Sequence, residues 1–175
     1  IMVVGDGIHF AKKLADQLGV KKIIPFTKFG TALIPNNDIQ IEIASARSEF
    51  YDNHSRKPSE VVYTDLKGDL LRRDFTINAM AINLQPPNYG TLTDPFNGVM
   101  DIQKKIIRTP LNPDETFSED PLRMIRAGYF ASKLGFKIDS LCLRSIKNMA
   151  SRIDIVSIER IRDELKGGNT LIRSI

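Results

Sequence analysis

Arg72-Arg73-Asp74-Phe75-Thr76-Ile77-Asn78-Ala79 is the stretch on which the reading of this chain turns. It packs two guanidinium groups, a carboxylate, a hydroxyl and an amide into one short segment. A helical pattern from Asp65 to Arg72 leads into it, and the apolar run Ala79 to Leu84, with strand character, leads out. The polar groups therefore fall at a helix-to-strand junction. Arginine's planar fork of donors suits phosphate oxygens, and Asp or Asn can bond sugar hydroxyls. On chemistry alone the stretch is suggestive of an anion or nucleotide site and of nothing narrower.

Upstream, Ile1 to Val4 reads as a buried strand ending in the tight turn Gly5-Asp6-Gly7. The missing third glycine and the absence of a βαβ rhythm argue against a dinucleotide fingerprint there. Phe10, Leu14 and Leu18 recur at helical spacing, with Gly19 as a C-cap. Strands follow at Ile23-Ile24, at Thr31 to Ile34 and, after the turn Pro35-Asn36-Asn37-Asp38, at Ile39 to Ile43. The last alternates, placing Ile39, Ile41 and Ile43 on one face and Gln40 and Glu42 on the other. Ser48 to Glu60 is polar and aperiodic and reads as a loop.

Downstream, Pro86-Pro87-Asn88-Tyr89-Gly90 and Asp94-Pro95-Phe96-Asn97-Gly98 are turns, the second opening a short helix through Lys104. After Pro110 strand signals stop. Helical patterns cover Glu119 to Lys133, with Ser118 as N-cap, then Ser140 to Ala150 and Ile158 to Lys166. The expected organisation is thus a mixed α+β domain over 1–109 and a helical one over 110–175.

With 175 residues, 42% of them hydrophobic and 26% charged, the chain has enough apolar material for a core and is not a disordered segment. No apolar run approaches the roughly 18 residues of a membrane span. The single cysteine, Cys142, makes an internal disulfide or a zinc knuckle impossible and points to a reducing compartment. A net charge of +4 favours nucleic-acid or nucleotide partners only mildly. The opening Ile-Met-Val-Val, without an initiator methionine, reads as a piece of something longer.

Other candidate groups have bland readings beside sharp ones. His9 and His54 are isolated and read as solvated, and Cys142 between Leu141 and Leu143 reads as core packing. Glu42, mid-strand and opposite an isoleucine face, is either a solvent-facing residue or a metal carboxylate, and a two-magnesium centre would need partners from elsewhere. At ~100° per residue Glu119, Arg123, Arg126 and Phe130 share one stripe of a helix, flanked by Asp120. That stripe is either a set of solvated ion pairs or a rigid array of donors and acceptors able to match a base edge.

The Arg-Arg-Asp stretch, Asp94-Pro95-Phe96-Asn97-Gly98, Ile106-Ile107-Arg108-Thr109 and Glu119-Asp120-Pro121-Leu122-Arg123-Met124-Ile125-Arg126-Ala127 together resemble the class II tRNA nucleotidyltransferases and the related bacterial poly(A) polymerases, in order and in spacing. Gly30-Thr31 and Arg56-Lys57-Pro58 are similar to that family's sheet turn and flexible basic loop. The resemblance implies a polymerase-β-like nucleotidyltransferase head with a mixed sheet, then an all-helical neck. It implies CCA addition to tRNA 3′ ends from CTP and ATP, with Mg2+, in the cytoplasm and away from membranes. By match, Asp120 and Arg123 read the base, Glu119 orients Arg123, and Arg126 joins the same pocket. Arg73 contacts the nucleotide, Asp74 and Asn78 order the ribose side and the junction, and Glu42 is a catalytic metal carboxylate.

Two departures qualify the match. Tyr129 stands where the family carries a third arginine, and neither a Gly-Gly-x-Val-Arg-Asp loop nor an Asp-x-Asp pair occurs in this sequence. Ile1 falls just past the place for that pair, so the resemblance implies that the chain by itself is inert, and that the tRNA-gripping body and tail helices are missing too. Poly(A) polymerase, A-only or CC-only addition, and a catalytically dead RNA- or nucleotide-binding module are the alternatives.

Overall fold

The alternating run after the turn becomes the inner strand of a mixed sheet. In the computed structural model, which describes residues 1–36, 39–51 and 58–166, β1 is Met2–Val3, β2 Ile24–Phe26, β3 Thr31–Asn36 and β4 Ile39–Ser45. They lie in the order β1-β4-β3-β2, with β1 parallel to β4 and the other neighbours antiparallel. Helix α1, Gly7–Gln17, is capped by Asp6, whose carboxylate accepts from the His9 amide at 2.9 Å. Its alanines at 11 and 15 let it sit close on Ala32, Ile34 and Ile43, all buried. Ile41 and Ile43 pack into this core. Ile39, at the hairpin end opposite Asn36, stays exposed.

The chain divides into two compact units, one of Ile1–Phe50 with Glu60–Asp69, the other of Tyr51–Ser59 with Leu70–Ile175. The expected loop from Ser48 to Glu60 is corrected at both ends: β5, Arg47–Tyr51, pairs with β6, Pro58–Tyr63. Phe50-Tyr51 and Val61-Val62-Tyr63 are good strand formers whose signal is diluted by polar neighbours. Asn37-Asp38, Asn53, His54, Ser55, Arg56-Lys57, Gly167 and Asn169 to Ile175 lie outside the described residues. His9 is exposed, as expected.

The second unit is built on Phe75, Ile107, Phe117, Met124, Ala127, Phe130 and Cys142, which form its buried cluster. Helix α2, Leu66–Leu71, ends at the Arg-Arg-Asp stretch, and Thr76–Asn78 turns as a single 3-10 segment. That turn shortens the expected strand after Ala79 to β7, Ala81–Ile82, which pairs with β8, Leu92–Thr93. Helix α3, Gly98–Lys104, starts where both Asp94 oxygens accept the Gly98 and Val99 amides at 2.7 and 2.9 Å.

The helix expected over Glu119 to Lys133 begins three residues later, as α5, Leu122–Leu134, and a helix the pattern did not indicate, α4, Pro113–Glu119, precedes it. Pro121 disfavours helical geometry in the residue before it, and Asp120 is extended at φ −138° and ψ 99°. Ser118 is therefore inside α4 and caps nothing; the cap of α4 is Asn112, accepting from the Asp114 amide at 3.0 Å. Strands do not stop at Pro110 either: β9, Ile106–Ile107, pairs in parallel with β10, Lys137–Ile138, a segment too short for a periodic signal. Helices α6, Ser140–Met149, and α7, Ile158–Leu165, follow where the pattern places them. Among the described residues no helix is long and apolar enough to cross a membrane.

Candidate functional site

Asp74 is the hub of the second unit's polar chemistry. One carboxylate oxygen accepts the Phe75 amide at 2.8 Å and the Asn78 side-chain amide at 3.1 Å. The other accepts Nε and Nη2 of Arg126 at 2.9 and 2.7 Å. The Arg126 Nη1 donates to Glu164 of α7 at 2.9 Å, and its guanidinium lies 5.2 Å from the Phe130 ring centroid. Burial works against the charge on Arg126, but the charges and hydrogen bonds of Asp74 and Glu164 outweigh it and raise the pKa above its ordinary value. Arg126 is a fixed cation wedged between two carboxylates.

Arg123, one turn earlier on α5, is buried with 8% of its surface exposed. Its Nη1 donates to the Thr116 carbonyl at 3.3 Å and to Glu119 at 3.0 Å, and its Nη2 to the Arg72 carbonyl at 2.8 Å. The first two bonds staple α5 across the break at Asp120 to the end of α4; the third ties α5 to the Arg-Arg-Asp stretch. Of the five guanidinium N–H donors, two remain after these three bonds. Asp120 accepts the Leu122 amide at 3.1 Å and so closes the start of α5.

Arg123 and Arg126 thus each bind into the Arg72 to Asn78 segment from a helix that lies some fifty residues on, at separations of 51 and 52 positions. The 3-10 turn is anchored as well: Thr76 Oγ1 donates to the buried Asp101 at 2.7 Å, and the Thr76 amide to the Arg108 carbonyl at 2.8 Å. Arg73 is half-buried at the end of α2, its amide donating to the Leu70 carbonyl at 3.3 Å. Asn78, Asp74, Glu119, Asp120, Arg123 and Arg126 are all brought into this one unit. Glu164 joins them unforeseen by the sequence reading, its trace there being only its place three residues after Ile161 on the half-buried side of α7. Tyr129, at the departure from the family pattern, accepts the Lys133 ammonium at 3.2 Å, which also lies 5.5 Å from its ring centroid.

Glu42 belongs to the first unit, exposed in the middle of β4 opposite Leu33. An exposed carboxylate is chemically suited to a hard cation. Among the described residues, however, no three His, Cys, Asp or Glu side chains gather into a metal-holding group. Among the described residues Glu42 therefore stands apart from any second or third carboxylate with which a two-magnesium centre could be built.

The chain matches, over residues 1–108, the family described as "Poly A polymerase head domain" and, over residues 135–166, "Probable RNA and SrmB- binding site of polymerase A". It is 46% identical over 137 residues to an A-adding tRNA nucleotidyltransferase of Aquifex aeolicus, covering 78% of this chain and 16% of that protein. It is 45% identical over 147 residues to a CCA-adding enzyme of Staphylococcus epidermidis, covering 83% of this chain and 36% of that one. Among solved structures, the Thermotoga maritima CCA-adding enzyme complexed with tRNA superposes with a TM-score of 0.77 at 31% identity, over 93% of this chain and 36% of that one. The chain therefore spans well under half the length of these relatives.

Proposed function

The chain belongs to the poly A polymerase head-domain family, and from that premise we propose that the protein carrying it is a template-independent tRNA nucleotidyltransferase that adds CCA to tRNA 3′ ends from CTP and ATP. The observation that supports this most is the interlock of two motifs. The Arg-Arg-Asp stretch and the Glu-Asp-Pro-Leu-Arg segment are held together by the Arg123 to Arg72 and Arg126 to Asp74 bonds. Two sequence signals with a common expected ligand are thus joined to one another by direct hydrogen bonds.

In this reading Asp120 and Arg123 meet the base edge. Asp120 brings acceptor oxygens and Arg123 its two remaining donors, and a base is selected by matching both at once. Glu119, at 3.0 Å, fixes the rotation of Arg123, so the donors are preset before the nucleotide arrives. Arg126 closes the same pocket, Arg73 contacts the nucleotide, and Asp74 with Asn78 orders the ribose side. The reaction is displacement of pyrophosphate from the α-phosphate by the primer's 3′ hydroxyl, and these residues contribute selection and orientation. Magnesium is the cofactor the reading calls for, with Glu42 as this chain's ligand to it.

The test is Asp120→Ala in the full-length protein. CTP and ATP should lose their preference over UTP and GTP in steady-state incorporation, with folding little changed; discrimination equal to that of the unaltered protein would refute base reading by Asp120. A second reading, addition of A alone, is favoured by the 46% identity to the Aquifex A-adding enzyme. Incorporation from CTP decides between the two.

A further inference from the structure

We infer that Glu164, on α7, is a positioning residue for nucleotide selection, which it governs by fixing the plane of the Arg126 guanidinium. The inference rests on the reading above that Arg126 belongs to the nucleotide pocket. Asp74 alone already neutralises Arg126, and it binds one edge of the guanidinium, Nε and Nη2, at 2.9 and 2.7 Å. A group held by one edge can still tilt over the Phe130 ring beneath it. The Glu164 carboxylate takes the opposite nitrogen, Nη1, at 2.9 Å and removes that freedom.

The three side chains are mostly shielded from water, with 27% of Arg126, 11% of Asp74 and 12% of Glu164 exposed. Withdrawing a second carboxylate from water around a single cation is unfavourable on charge balance alone. It is explained if the orientation of the cation matters. Helix α7 buries none of its side chains completely, so core packing does not account for the placement of Glu164. A residue 38 positions beyond Arg126 thus sets how that arginine is presented.

The experiment uses the full-length protein and four variants: Glu164→Ala, Glu164→Gln, Arg126→Met and the Glu164→Ala/Arg126→Met pair. Dissociation constants for CTP, UTP, ATP and GTP are measured by isothermal titration calorimetry, alongside melting temperatures and incorporation on tRNA. Glu164→Ala should lower the CTP-over-UTP and ATP-over-GTP preferences about tenfold, the scale of one lost charge-assisted hydrogen bond. Glu164→Gln, which keeps a neutral acceptor, should lose about threefold on the same basis. In the Arg126→Met background Glu164→Ala should add nothing, because the group it positions is gone.

Unchanged preferences in Glu164→Ala together with a lowered melting temperature would make Glu164 merely structural and overturn the inference. Losses that multiply in the double variant would overturn it as well. If Glu164→Ala does not fold, Glu164→Gln decides by the same ratio. A protein that discriminates nucleotides but incorporates none on tRNA would refute the proposed function while the binding ratios still judged Glu164. One that does not discriminate at all would overturn both.

Discussion

Replacing Asp74 with Asn changes one oxygen into a nitrogen and leaves the shape almost untouched, yet it should destabilise the second unit substantially. In the native site every acceptor position in use faces a donor: Arg126 Nε and Nη2 on one side, the Phe75 amide and the Asn78 side chain on the other. An asparagine has one acceptor oxygen. Turned toward Arg126, it points its own N–H groups at the Phe75 N–H, which cannot reorient; turned the other way, it points them at the guanidinium. At least one donor meets a donor in either rotamer. The charge opposite Arg126 is lost too, although Glu164 remains. Hydrogen bonds to charged groups contribute ~1.5–3 kcal/mol each, and breaking a deeply buried pair costs ~3–5 kcal/mol. With Arg126 27% exposed and still paired to Glu164, the expected loss is about 2–3 kcal/mol. For a chain of this size that lowers the melting temperature by roughly 4–12 °C. Thermal unfolding followed by circular dichroism measures it. A melting temperature within 1 °C of the unaltered protein would refute the assignment of Asp74 as a saturated anchor and leave it a role toward substrate alone.

Thr76→Val should cost about 1–3 kcal/mol in urea unfolding, because the buried Asp101 loses its 2.7 Å donor, while Thr76→Ser should restore most of it; equal stabilities of the two variants would contradict that bond. Gly7→Ala should cost about 1–3 kcal/mol, since its Cβ would stand 2.9 Å from the backbone nitrogen of Ser45, and a loss below about 0.5 kcal/mol would mean that α1 can shift off the sheet. Burial pushes the Cys142 thiol above its ordinary pKa of 9.0, outweighing the hydrogen bonds from Thr109. The folded state therefore holds this proton more tightly than the unfolded state does. Its contribution to stability is complete below pH 9 and declines as the pH rises past that value, and iodoacetamide should label Cys142 at pH 8 only after denaturation; rapid labelling of the native protein would contradict its burial.

The sheet and the helix beside it were legible because Ile39 to Ile43 alternates and because Phe10, Leu14 and Leu18 recur at helical spacing ahead of Gly19. The sequence reading failed where one residue overrides a pattern. Glu119 to Lys133 scans as one helix by periodicity, but Pro121 forces Asp120 out of it, so α5 starts only at Leu122 and Arg123 bonds back across the break to Thr116 and Glu119. Two-residue strands such as Lys137–Ile138 carry no period to detect. Of the site, the residue types were visible in the Arg-Arg-Asp and Glu-Asp-Pro-Leu-Arg segments, and their joining was not. That Arg126 spends its donors on Asp74 and Glu164 depends on how α5 and α7 pack, which no local pattern encodes.

The most direct measurement is nucleotide incorporation by the full-length protein on tRNA ending at the discriminator base, with CTP and ATP supplied separately and together. Addition of two C residues and then a single A is the predicted result. A alone would make it an A-adding enzyme, long A tails from ATP would make it a poly(A) polymerase, and nucleotide binding without incorporation would contradict tRNA nucleotidyl transfer itself.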